Sequence, residues 1–138
     1  MKKSREDYVR GWFARARSDL KIARREMVAP DPAADAVCFH FQQAVEKMLK
    51  GWLVWREQEF PRTHNLAALV ELAERLDSEF AELRKVEPLT AYAVDSRYPE
   101  TPYLPGVDDM RAAAELAGAA ESFIRERFRR EGFDPDQL

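Results

Sequence analysis

A single cysteine, Cys38, occurs in 138 residues, so no disulfide can close within the chain and no zinc site built on several thiolates can form. A reducing, cytoplasmic setting is the expectation. Only two histidines are present, His40 and His64, in separate segments with no carboxylate nearby at ligand spacing. No metal site and no cofactor are therefore expected. Glycine is scarce, at five residues, and none belongs to a phosphate-cradling loop. No apolar run reaches the length of a membrane span, and no apolar segment follows the charged start MKKSREDYVRGW, so neither an anchor nor a secretory leader is expected. Charge of one sign is also missing. The formal net charge is -3, which leaves contact with a polyanion to a local basic patch.

What is present is 46% hydrophobic and 34% charged residues, a balance suited to a soluble chain with a real core. The length points to one domain spanning 1–138, with 1–4 and 132–138 expected to fray. Long stretches lack helix breakers, and no useful strand-like alternation occurs. The expected fold class is all-α, an up-and-down bundle of about five helices.

The first helix is expected from about Arg5 to Met27, where Val9, Trp12, Phe13, Ala16, Leu20, Ala23 and Met27 recur at helical steps. Its other side carries Arg10, Arg17, Lys21, Arg24 and Arg25, either a solvated face or a basic strip that meets phosphate. A second helix is expected over roughly Ala33 to Gln58, capped by Asp31 or Asp35, with Val37, Phe41, Ala44, Met48, Trp52 and Trp55 facing inward. A third begins near Asn65. A fourth, capped by Asp77 and Ser78, carries Phe80, Leu83 and Leu89 and is kinked or restarted at Pro88, before TAYAV. The loop SRYPETPYLPG precedes a last helix from Asp108, with Leu116, Ala120, Phe123 and Ile124 inward and Gly132 as its stop.

Within the second helix, FHFQQAVEKMLK sets His40, Gln43, Lys47 and Lys50 inside an arc of roughly 80°, a polar row of about three turns opposite the apolar stripe. Amides and an imidazole can read a base edge, and two ammoniums can neutralise phosphate. The same row also reads as a solvated or internally satisfied face. In the connector PRTHN, Arg62 and His64 stand before a helix N-terminus, where an anion is favoured, or pack locally. Arg97 and Tyr98 in SRYP could grip phosphate and stack on a base, or serve the loop itself. Cys38 lies near the apolar face, where a thiol stays protonated and inert.

Four segments in order, RARSDLKIA, CFHFQQAVEKMLKGWL, FPRTHNLAAL and SRYPE, resemble the HEPN domain family over most of the chain, from about Trp12 to Phe128. The resemblance implies a helical bundle that often dimerises, and a partner in the form of a minimal nucleotidyltransferase, in some cases within a toxin–antitoxin module. It places the family's polar positions at His40, Gln43, Lys47, Lys50, Arg62, His64, Arg97 and Tyr98.

Ribonucleases of this family carry an arginine separated by four to six residues from a histidine, the histidine moving protons and the arginine holding phosphate charge. Here those positions hold Ala33, Ala34 and Asp35 before His40, and Glu57, Gln58 and Glu59 before His64. A non-catalytic nucleotide- or RNA-interacting protein is therefore expected. A metal-independent ribonuclease using His64 and Arg62, and a helical dimerisation module without ligand, stand as alternatives.

Overall fold

The computed structural model describes residues 2–94, 99 and 104–137. Helix α1 runs Arg5–Met27, α2 Ala34–Trp55, α3 Leu66–Leu76, a 3₁₀ segment Ser78–Thr90, a short α4 Ala91–Val94 and α5 Val107–Arg130. No strand occurs among the described residues. The all-α bundle read from periodicity is the architecture observed.

Each long helix begins and ends for an identifiable reason. Ser4 and Asp7 form a reciprocal capping box at the start of α1, and Glu6 and Asp7 place negative charge where the helix dipole is positive. No side chain caps α2. Neither Asp31 nor Asp35 does so; instead Glu26 of α1 accepts the Ala33 N–H at 2.9 Å. The helix stops at Trp55, three residues short of the expected end, because Glu57 turns into the left-handed region (φ 56°). That turn lets the Gln58 N–H reach the Leu53 carbonyl and the Glu57 N–H reach that of Val54, a Schellman closure. Helix α5 closes the same way on Gly132 (φ 74°), with the Phe133 N–H on the Phe128 carbonyl.

Residues Ser78–Thr90 depart from the expected kinked α-helix. They form successive 3₁₀ turns, started by Asp77 accepting the Glu79 N–H. Pro88 supplies no amide proton, and the tighter turn still points Phe80, Leu83, Val86 and Leu89 inward. The segment packs mainly on α3.

Helix α2 is the centre of the molecule, packed against α1 and α5 and flanked by α3. Its buried side is far wider than one stripe, since Cys38, Val45, Leu49 and Leu53 are buried as fully as Phe41, Met48 and Trp52. Trp52 stacks on Phe80, and Phe128 of α5 meets the rings of Phe13, Trp52, Trp55 and Phe133. Burial pushes the Cys38 thiol up to about 12, so it is no nucleophile at neutral pH.

Residues 133–137 pack against the bundle. Phe133 stacks on Trp55 at 4.5 Å, Pro135 is buried, and Asp136 takes ion pairs from Arg17 and Arg125.

Two glycines make opposite predictions. A Cβ on Gly51 would stand 2.7 Å and 2.9 Å from ring atoms of Phe13, which is wholly buried and cannot swing aside. A Cβ on Gly118 meets nothing within 4 Å. Gly51→Ala should therefore destabilise by about 1–3 kcal/mol despite the better helix propensity of alanine. Gly118→Ala should stabilise by about 0.5–1 kcal/mol. Opposite shifts of the thermal midpoint check both; a rise for Gly51→Ala would mean that α1 and α2 approach less closely than described.

Candidate functional site

Two buried carboxylates organise the polar row of α2. Asp19, only 7% exposed on α1, is the first. Its Oδ1 accepts from His40 Nδ1 at 2.8 Å and its Oδ2 from Lys47 Nζ at 2.6 Å. His40 and Lys47 are seven residues apart, two turns, so one carboxylate on the neighbouring helix can reach both.

The second is Glu46, 3% exposed on α2 itself. Lys50 Nζ donates to Oε2 at 2.9 Å, while Gln42 Nε2 and His64 Nδ1 donate to Oε1 at 3.1 and 2.8 Å. Gln42 Nε2 also reaches the His64 carbonyl at 3.2 Å, and its Oε1 accepts from Gln43 at 2.7 Å. Gln42, Glu46 and Lys50 thus form an i, i+4, i+8 ladder that ties the α2–α3 connector down. Lys50 is buried beside the rings of Trp12 and Phe60, with its nitrogen 5.5 and 5.9 Å from their centres.

The row is therefore not a solvated face opposite the apolar stripe. Two ammoniums are set against two carboxylates, and both imidazoles are held through Nδ1. Lys47 and Lys50 are engaged by Asp19 and Glu46, neither of which was expected at the site. No carboxylate was expected near either histidine, whereas each histidine touches one. Still, no group of three or more metal-ligating side chains occurs among the described residues.

Signals for both carboxylates exist in the sequence. Asp19 falls at the edge of the α1 stripe, three residues from Ala16 and four from Ala23. Glu46 sits four residues before Lys50 and four after Gln42, on the side of the row that borders Leu49 and Leu53.

The expected residues divide into three sets. His40, Gln43, Lys47 and Lys50 lie together on α2 but within the two networks. Arg62 and His64 stand at the surface: the His64 side chain is 58% exposed with Nε2 free of any partner among the described residues, and Arg62 is exposed and unpaired among them. Arg97 and Tyr98 lie outside the described residues. Of the cavities flanking α2, one of about 190 Å³ is lined by His40, Ile22, Ala23 and Val37, and does not extend to Arg62 or His64.

With helices of this order and the motif QQA-EK--K beneath the PRTHN connector, the comparison with known families is decisive: a model of the HEPN domain matches residues 9–130. The chain belongs to the HEPN domain family. No curated protein and no solved structure gives a significant match. HEPN membership makes this a helical protein of a nucleotide- and RNA-related kind, and no helix among the described residues is long and apolar enough to cross a membrane.

Within this HEPN domain the family's ribonuclease spacing of arginine and histidine does not occur. Beside the row, the connector presents an exposed polar face. There the His64 ring has its orientation fixed from below, and neither its Nε2 nor the Arg62 guanidinium has a partner among the described residues.

Proposed function

We propose that this HEPN protein interacts with a nucleotide or RNA without cutting it, and serves, as a homodimer, as the partner of a minimal nucleotidyltransferase in a toxin–antitoxin-type module. The observation that supports this reading is the contrast between the internally paired row on α2 and the exposed side chains of Arg62 and His64 above it, of which only the His64 Nδ1 edge is engaged among the described residues. Glu46 pins the His64 ring, so less conformational freedom is lost when a ligand arrives. The row acts as foundation, and the connector makes contact.

Titration calorimetry with ATP and with a short RNA tests it. Arg62→Ala and His64→Ala should each weaken binding by roughly tenfold, the cost of about 1.4 kcal/mol in a charge-assisted contact. Heats indistinguishable from the parent in both variants would refute a contact surface there. Co-purification with a nucleotidyltransferase subunit tests the partner.

One observation favours the ribonuclease reading. A carboxylate on Nδ1 fixes the tautomer that leaves Nε2 able to take a proton, the same orientation logic as in acid–base catalysis. Incubation with RNA in EDTA separates the two: cyclic-phosphate ends that vanish in His64→Ala would replace the binding reading with catalysis.

A further inference from the structure

The basic strip of α1 is not absorbed by the connector site. It lines a separate groove between α1 and α5, of about 640 Å³, to which Arg17, Lys21 and Arg24 contribute from one side and Arg125 and Glu121 from the other. Burial pushes the Glu121 carboxyl up, but hydrogen bonds from Arg24 and Arg125 outweigh it and hold the group below its ordinary range. Glu121 therefore stays charged, and Arg24 and Arg125 are held in place at 2.8 and 3.1 Å. Lys21 is exposed and forms no ion pair among the described residues.

Two of the cations that line this groove, Arg17 and Arg125, are also engaged by the C-terminal segment of the chain. Asp136 bridges Arg17, at 2.5 Å, and Arg125 with its two carboxylate oxygens. It is presented by a turn in which its own N–H bonds Asp134, beside the buried Pro135 and the Phe133–Trp55 stack. Asp136 lies beyond the span matched by the family model, which ends at residue 130.

We propose that this groove is a binding site for a phosphate chain, and that Asp136 is its internal stand-in, displaced when the ligand enters. Two guanidiniums converging on one pair of oxygens are the geometry that takes a carboxylate or a phosphate. Four cations face two carboxylates, so the groove keeps net positive charge even while Asp136 is seated. Arg17 and Arg24 are seven residues apart, a span of roughly 10 Å along the helix that exceeds a single phosphate. No aromatic ring among the described residues lines the groove, so recognition there is of the phosphates rather than of stacked bases. The Arg17–Asp136 pair is more than a third exposed on both sides and such pairs are worth about 0–1 kcal/mol, while the Arg125–Asp136 pair, with Arg125 26% exposed, is the stronger hold that an incoming phosphate replaces in kind. Phe133 and Pro135 need not move when the Asp136 side chain swings out.

The test compares the parent protein with Asp136→Asn and Lys21→Glu, using a labelled oligouridylate followed by anisotropy at low and moderate salt, and inorganic tripolyphosphate followed by calorimetry. Asp136→Asn should bind about 3- to 10-fold tighter, with a log–log salt dependence steeper by roughly 0.7 for each additional phosphate that the groove neutralises. Lys21→Glu, which breaks no ion pair among the described residues, should weaken binding at least about fivefold, whereas Lys85→Glu, a charge reversal at an exposed cation on the 3₁₀ segment, should leave it nearly unchanged, which separates this groove from a general charge effect. Binding of both probes indicates a site for any phosphate chain, and binding of one alone identifies which source it takes. Asp136→Asn binding no tighter than the parent, or Lys21→Glu binding equally well, overturns the proposal.

Discussion

Glu46→Ala should lower stability by about 3–5 kcal/mol, which for a domain of this size moves the thermal midpoint down by roughly 10–20 °C. Three groups lose their acceptor together: the Lys50 ammonium, the Gln42 amide and the His64 ring. Lys50 is the costly one. It is buried beside Trp12 and Phe60 with no other carboxylate within ion-pair distance among the described residues, so the variant strands a charge in an apolar place. Glu46→Gln should cost less, because an amide oxygen still accepts while the counter-charge is gone. The double variant Glu46→Leu with Lys50→Met should regain most of the loss, since replacing both members of a buried pair is often neutral. A single variant that melts within a few degrees of the parent, or a double variant no better than the single, would show that the cost does not arise from stranding the Lys50 charge.

Phe128→Ala should cost a similar amount, about 3–5 kcal/mol, by a different mechanism. Phe128 has no exposed surface, and its ring meets Phe13 of α1, Trp52 and Trp55 of α2 and Phe133 beyond α5. Removing it leaves a cavity where three helices converge, and stiff aromatic neighbours cannot collapse into it. Total stability of a domain is commonly about 5–15 kcal/mol, so this one truncation removes a large share. Chemical denaturation should show the midpoint fall with little change in slope. Phe128→Leu should restore roughly half of the loss. A cost below about 1.5 kcal/mol would mean that α5 is not locked into the core through this ring.

The extents of α1, α3 and α5 were legible because each carries one apolar stripe bounded by a local stop. Ser4 with Asp7, Asn65 and Gly132 are signals that act within a few residues of themselves. Helix α2 was legible as a helix but not as the centre of the bundle. A helix packed on several sides has polar residues on faces that periodicity assigns to water, and those of α2 are paired with Asp19, Glu46 and one another instead. The 3₁₀ segment was misread because Phe80, Leu83, Val86 and Leu89 keep a three-residue step that an α-helix tolerates as well.

His40, Gln43, Lys47 and Lys50 were correctly placed on one side of α2, since their relative angles depend only on helix geometry. What they face could not follow from the same rule. Asp19 meets His40 and Lys47 across a helix–helix contact, and Asp136 meets Arg17 across 119 positions of chain. The amino-acid order by itself determined an all-helical chain, its main breaks, its inert buried thiol and the kinship carried by its polar motif. Only tertiary packing decided which charges are consumed and which stay available, because ion pairing depends on distances of a few ångströms between segments whose separation along the chain places no limit on them.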